Sequence, residues 1–480
     1  MNSGAGAGLS ARIAEYVAHA DFAALPPTTV AATKRAILDG LGVMLAASGT
    51  SPDVLPFVEL ALAQGGPPQA SILGFGERVA LPMAALANGA MAHALDYEDA
   101  FDAVPTHPNA SLLPAALAVA QARAPIGGRE FIAAAATGCD LSCRMALALR
   151  QPMEHGGWYP PPILGAHGAV AAVARLLHLT ARQICDALSL LLCQNTCPGE
   201  IKYSPDSVIR AVREAFPAQA AVLSVLLAER GVRGFEQPLE GRAGFFRLYA
   251  DGRYEPAALL EGLGERHWIE QLSFKRWPCC RGTHAAIEAA QALRRRHAFE
   301  PREVLGIRVT ADELQRMLYE PQPQKRAPQT VIDAKFSLPF TVAAALLHED
   351  LTLGSFTPAS LRDPQLLALA ARVQFEAYTG GARGADAAEL SITLADGRSL
   401  HHAVAHAAGA PSRPLSDATL HAKFIDCALA AAVPMTPSAA QQLAERLWAL
   451  EDESDVGALL TAMPRPIRSD HRALEPVLGR

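Results

Sequence analysis

Residues Ala31–Ser48 read AATKRAILDGLGVMLAAS, and this stretch decides the fold class. Ile37, Leu38, Leu41, Val43, Met44 and Leu45 leave almost no polar side on a 3.6-residue period. A helix that is apolar nearly all round must be covered by others, so it belongs at the centre of a helical bundle. Moving outward, Glu130–Leu149 and Gly168–Leu179 repeat the pattern. Thr180 followed by Gln183, just before the run Ile184–Leu192, is a capping-box start. Pro and Gly cluster between these segments, at 65–68, 156–162 and 233–241.

The pattern changes near residue 270. Val304–Val309 (VLGIRV) and Leu390–Leu394 (LSITL) alternate like half-buried strands, and Asp396-Gly397 before Ser399–Val404 signals a hairpin. Helical stretches at Ala285–Arg296 and Phe340–Leu347 accompany these strands, and helix returns at Ser416–Ala432 and Ser438–Leu450. The expected fold is mainly α. It has a large all-α domain formed by both chain ends, 1–269 and 408–480, and an inserted smaller α+β domain over 270–407.

Composition narrows the function classes. Half of the 480 residues are hydrophobic and only 19% are charged, which excludes a disordered chain because ample apolar surface offsets the ordering entropy. A net charge of −6 supplies no global basic field, so nucleic acid is not an expected partner. Long uncharged stretches such as His155–Ala174 are interrupted by Gly156, Gly157 and Pro160-Pro161-Pro162, so no membrane span is expected. The N-terminus has neither a basic start nor a continuous apolar segment, which predicts no signal peptide. The eight cysteines include no C-x-x-C, and the four-residue spacings of Cys139/Cys143 and Cys193/Cys197 read as single turns of buried helix. A reducing cytoplasm is the expected location.

Two stretches concentrate chemistry. Gly89–Pro114 (GAMAHALDYEDAFDAVPTHPNASLLP) holds His93, Asp96, Glu98, Asp99, Asp102 and His107 between apolar helices. Carboxylates and imidazoles are costly to desolvate unless paired or used, although an exposed acidic loop would also account for them. Their irregular spacing matches no metal-ligand motif, so no metal is expected. Ser273–Ala285 (SFKRWPCCRGTHA) gathers Lys275, Arg276, Arg281 and His284, and Gly282-Thr283 leads into a helix whose backbone N–H groups can assist in holding an anion. Such a cationic loop suits a di- or tricarboxylate; solvated residues of a domain linker are the alternative. Cys279-Cys280 supplies only two of the thiolates an iron–sulfur cluster needs, so no cluster is expected.

These stretches resemble the MmgE/PrpD family, which includes 2-methylcitrate dehydratase, cis-aconitate decarboxylase and iminodisuccinate epimerase. The likeness is carried by His93-Ala94-Leu95-Asp96-Tyr97-Glu98-Asp99 with Thr106-His107-Pro108, and by Lys275-Arg276-Trp277-Pro278-Cys279-Cys280-Arg281-Gly282-Thr283-His284. Looser matches are Tyr319-Glu320-Pro321, Asp333–Pro339 and Gly409–Phe424. The resemblance implies that the inserted domain is a lid over a cleft, that the protein is a homodimer, and that it performs acid/base chemistry on small polycarboxylates without metal or other cofactor. It also implies active-site roles for Asp96, His107, Lys275, His284 and Tyr319.

The chain departs from the family's decarboxylase branch at three places. Ala100 replaces a threonine, Gly157-Trp158-Tyr159-Pro160 replaces Gly-Phe-His-Pro, and a Lys-x-x-His segment is missing where Arg210 and Arg213 stand. These departures favour a hydro-lyase of the 2-methylcitrate dehydratase type over decarboxylation, with an epimerase or isomerase as runner-up. A non-catalytic carboxylate-binding protein is a further alternative. In the expected mechanism His107 removes a proton next to a carboxylate, with Asp96 orienting it. Lys275, Arg281 and Arg213 meet the developing enediolate charge, and Tyr159 or Tyr319 protonates the leaving hydroxyl. His93 and His284 complete the expected substrate-binding set.

Overall fold

A computed structural model describes residues 8–204, 206–379, 383–384 and 386–464. The protein is mainly helical, with 58% of residues in helix and 9% in strand. Ala31–Ser48 lies inside the helix Pro27–Thr50, whose residues from Ala36 to Ser48 are all buried. Against it pack the helices Leu81–His93, Pro108–Ala122 and Gly128–Ala148. The helix Asp417–Leu429 lies along it as well, and Lys423 there bonds Asp39 Oδ1 at 2.6 Å.

Small residues allow these helices to approach closely. A Cβ built on Gly138 would come 2.4 Å from the carbonyl oxygen of Gly168 on the helix Pro160–Leu176, so both positions accept only hydrogen. That helix starts earlier than the expected Gly168, because prolines fit a first turn whose N–H groups have no helical partner. The Thr180–Gln183 capping box forms as expected. Cys139 and Cys143 are buried on the helix Gly128–Ala148. Cys193 and Cys197 correct the second helical-turn expectation: Cys193 is an exposed C-cap and Cys197 lies beyond the helix end.

The four-stranded sheet has the order Val373–Ala377, Val304–Ala311, Ala388–Leu394, Ser399–Val404. The Asp-Gly hairpin joins the last two with Ile392 opposite Leu400. The unexpected member is Val373–Ala377, which runs parallel to Val304–Ala311. Helix His284–Arg296 covers the sheet.

Two helical stretches, Gly128–Ala148 and Ile209–Glu229, are long and apolar enough by length and composition to cross a membrane. Each carries a few charged residues, so neither is an uncharged stretch of sequence. Here 94% of the first window and 72% of the second are buried inside the protein.

Candidate active site

The site is built where two irregular segments pair. After the helix Leu81–His93 the chain turns through Asp96, whose φ of 48° puts a non-glycine residue in the left-handed region. Such a backbone costs on the order of 1–3 kcal/mol and persists when its surroundings hold it. Here the Asp96 N–H donates to the His93 carbonyl at 2.8 Å, and Lys275 Nζ donates to the Asp96 carbonyl at 3.1 Å as well as to its carboxylate. Ala100 and Ser273 exchange backbone hydrogen bonds of 2.9 and 2.7 Å, which sets the Lys275 segment beside the Asp96 turn. Phe101 N–H then donates to the Thr106 carbonyl at 2.9 Å, closing a reversal that returns His107 to the same place. Gly409 seals the far side: a Cβ there would stand 1.9 Å from the Phe274 carbonyl oxygen.

Two buried lysines brace these segments. Lys423 Nζ donates to the carbonyls of Tyr97 at 2.7 Å and Lys275 at 2.9 Å. Lys335 Nζ donates to Leu95 O at 2.8 Å and Pro278 O at 2.9 Å, and burial pushes its ammonium down to about 8.

At the centre, Glu98 Oε1 lies 2.5 Å from His93 Nδ1 and 3.0 Å from His107 Nδ1. His107 Nδ1 is also 2.8 Å from the Asp99 carbonyl oxygen. That carbonyl only accepts, so the proton of neutral His107 belongs on Nδ1 and the lone pair on Nε2. Burial, then the Lys275 ammonium, pushes His107 down to about 3, so the ring is neutral around pH 7. Burial and Arg213 likewise hold His93 well below the usual histidine range. Burial raises Asp96, but Lys275 and His93 outweigh it and keep the carboxyl below its ordinary value. Burial lowers Lys275, but Asp96 and Glu98 reverse this, so it remains an ammonium.

A cavity of about 580 Å³ opens beside His107, and Tyr159, Arg210, Cys280, Arg281 and Phe336 line it too. Gly157, in the left-handed region at φ 78°, allows the turn that presents Tyr159. The Arg210 guanidinium lies 3.5 Å from the centroid of the Phe336 ring, and its buried Nε has no hydrogen-bond partner. Arg281 donates to Asp102 Oδ2 at 3.1 Å and to the carbonyls of Ala408 and Ala407 at 3.0 and 3.3 Å. Burial pushes the Cys280 thiol up to about 11, so it is protonated and a poor nucleophile near neutral pH.

Of the expected set, His107, Tyr159 and Arg281 line the cavity, while His93, Asp96 and Lys275 gather with His107 around Glu98 and Arg213 does not line it. Arg213 is fully buried, bonded to Glu214 at 3.1 Å, with its guanidinium 5.1 Å from the Tyr159 ring. His284 and Tyr319 do not line the cavity. His284 packs edge-on to Trp277, with Nε2 3.2 Å from the Cys279 carbonyl oxygen. Tyr319 stacks on Phe375, and its hydroxyl accepts from Arg326 at 3.2 Å. Glu98 and Phe336 were not singled out by role. For Glu98 the signal was its place in the acidic motif, and for Phe336 its place in the looser match Asp333–Pro339.

His93, Asp96, Glu98 and His107 also offer four ligand atoms within 4.8 Å of one another, which their sequence spacing did not reveal. The fit to a cation is poor, because the Lys275 ammonium already pairs with Asp96 and stands 3.9 Å from Glu98 Oε1. A second positive charge would repel it at short range.

A neutral imidazole and arginines line one cavity, and a buried ammonium–carboxylate pair stands behind the imidazole across Glu98. The MmgE/PrpD N-terminal domain matches residues 11–257 and the MmgE/PrpD C-terminal domain residues 277–450, and the chain belongs to the MmgE/PrpD family. It is 24% identical to the cis-aconitate decarboxylase of Aspergillus terreus (strain NIH 2624 / FGSC A1156), over 98% of both chains. It is 26% identical to the cis-aconitate decarboxylase of Homo sapiens, over 80% of this chain and 79% of that one. The cis-aconitate decarboxylase-like protein oryM of Aspergillus oryzae (strain ATCC 42149 / RIB 40) is 24% identical over 74% and 76%.

Proposed function

We propose that the protein is a lyase acting on a small hydroxy-polycarboxylate, removing water after proton abstraction next to a carboxylate. One observation carries the reading: His107, held neutral with its lone pair on Nε2, lines the same cavity as the phenol of Tyr159. Dehydration needs a base for the carbon-bound proton and an acid for the departing hydroxyl, and these are such a pair. The enediolate charge that develops meets Arg210 and Arg281, with the buried Lys275 behind His107. Neither step requires a metal or other cofactor.

The sheet-bearing segment 270–407 acts in this reading as a lid over the cleft, with both chain ends forming the body beneath it. The working unit is a cytoplasmic homodimer. Exposed apolar residues such as Ile209, Phe216 and Leu60, 54%, 54% and 47% accessible, support a partner face.

Decarboxylation is the second reading, favoured by the names of the relatives. Proton NMR in D₂O with 2-methylcitrate, cis-aconitate and chiral dicarboxylates separates the reactions. The expected result is loss of water with a new vinyl signal. Release of carbon dioxide would establish decarboxylation, and deuterium at a stereocentre of an unchanged skeleton would establish an epimerase. Absence of exchange into every bound acid would leave a carboxylate-binding protein.

A further inference from the structure

We propose that the substrate carries an alkyl chain longer than methyl, seated on an apolar wall of the same cavity; its polar head rests on the lyase reading above. A volume of about 580 Å³ falls within the ~300–1,000 Å³ range of sites for drug-sized ligands. An acid of citrate size would leave much of that space to water.

The lining combines charged and apolar side chains. Asp102, Arg150, Glu154, Lys202, Arg210 and Arg281 are its charged members, whereas Val104, Leu149, Met153, Leu314, Met317 and Leu318 are apolar. Leu314 and Met317 are 66% and 41% exposed, although both are large and apolar. They lie three apart on the short 3₁₀ helix Glu313–Leu318, where side chains at that spacing eclipse one another. They therefore form one ledge on the cavity.

Scattered apolar residues on a surface need no explanation. These two share a cavity with Leu149 and Met153, which come from a different segment, so a bound chain would find apolar side chains from both segments. Each methylene moved from water onto such a surface improves binding by roughly fourfold, corresponding to about 0.8 kcal/mol. A chain of several carbons would account for both the volume and the exposed ledge.

The test uses the full-length protein and a series of tricarboxylates bearing methyl, butyl and octyl groups at one carbon. Expected is a kcat/KM that rises by about fourfold per methylene until the wall is covered. The double variant L314D/M317D should flatten that rise, reducing the octyl-to-methyl ratio by at least tenfold. Both side chains are exposed, and circular dichroism checks that the fold is kept. Turnover of the methyl compound with no gain on lengthening would overturn the inference and leave the lyase reading intact. Calorimetric binding that tightens with chain length, without turnover, would support the inference and count against the lyase reading. A flat series in both assays, or a rise that survives the double variant, would also overturn it.

Discussion

Glu98 Oε1 stands 3.0 Å from His107 Nδ1, on the same ring nitrogen that faces the Asp99 carbonyl at 2.8 Å. Two acceptors therefore hold one proton on Nδ1 and leave Nε2 as the base. Glu98→Gln keeps the shape but presents an amide that can donate as well as accept. The Asp99 carbonyl still favours the working tautomer, so the expected loss in kcat is about 10²-fold, at the low end for general-base groups. Steady-state kinetics should show this with KM little changed. Unaltered kcat would remove Glu98 from the arrangement.

His107 is neutral because burial and Lys275 disfavour its imidazolium, which puts its titration at about 3. Through the pH range 5–8 the wild-type rate should thus show no acid limb from this base. Lys275→Met removes a neighbouring positive charge and leaves Asp96 unpaired, and both changes favour the imidazolium. The His107 pKa should then rise from about 3, with burial still holding it below the ordinary 6.5, and activity should fall as pH drops through the new value. A pH–kcat/KM profile of the variant, extended to acid pH, checks the sign: its acid limb should lie at higher pH than that of the wild type.

The four potential ligands around Glu98 make metal dependence a direct question. Because Lys275 already neutralises Asp96 at that point, dialysis against EDTA is expected to leave kcat within about twofold of the untreated enzyme. Added zinc or manganese should not raise it. A chelator-sensitive activity restored by one of these ions would show that a cation shares the site with the lysine.

The sequence conveyed the parts of this molecule that depend on local pattern. The all-round apolar helix at Ala31–Ser48, the Thr180–Gln183 cap and the Asp396-Gly397 hairpin each follow from neighbours a few residues away. Val373–Ala377 was not legible, because a parallel strand is recognised by its distant partner Val304–Ala311 rather than by its own five residues. The same limit applies within the site. His93 and His107 are fourteen positions apart, and only the reversal at Phe101–Thr106 brings their rings to 5.0 Å. Tyr319 illustrates the converse: its motif is present, yet its ring stacks on Phe375 while its neighbours Met317 and Leu318 line the cavity.

Tyr159 provides the sharpest division of labour. Its backbone N–H is fixed to the Cys197 carbonyl at 2.8 Å, and its ring lies 5.1 Å from the Arg213 guanidinium, so removing the hydroxyl alone should not displace the ring. In Tyr159→Phe the proton-abstracting half, His107 with Glu98 and Asp99, is untouched. Departure of the hydroxyl loses its acid, which typically costs ~10²–10⁴-fold. The variant is therefore expected to exchange substrate carbon-bound hydrogen for deuterium at a near wild-type rate while forming product at least a hundredfold more slowly. Proton NMR in D₂O reads both rates in one sample. Equal slowing of exchange and product formation would assign the phenol to binding or to proton abstraction, and unchanged product formation would remove it from the mechanism.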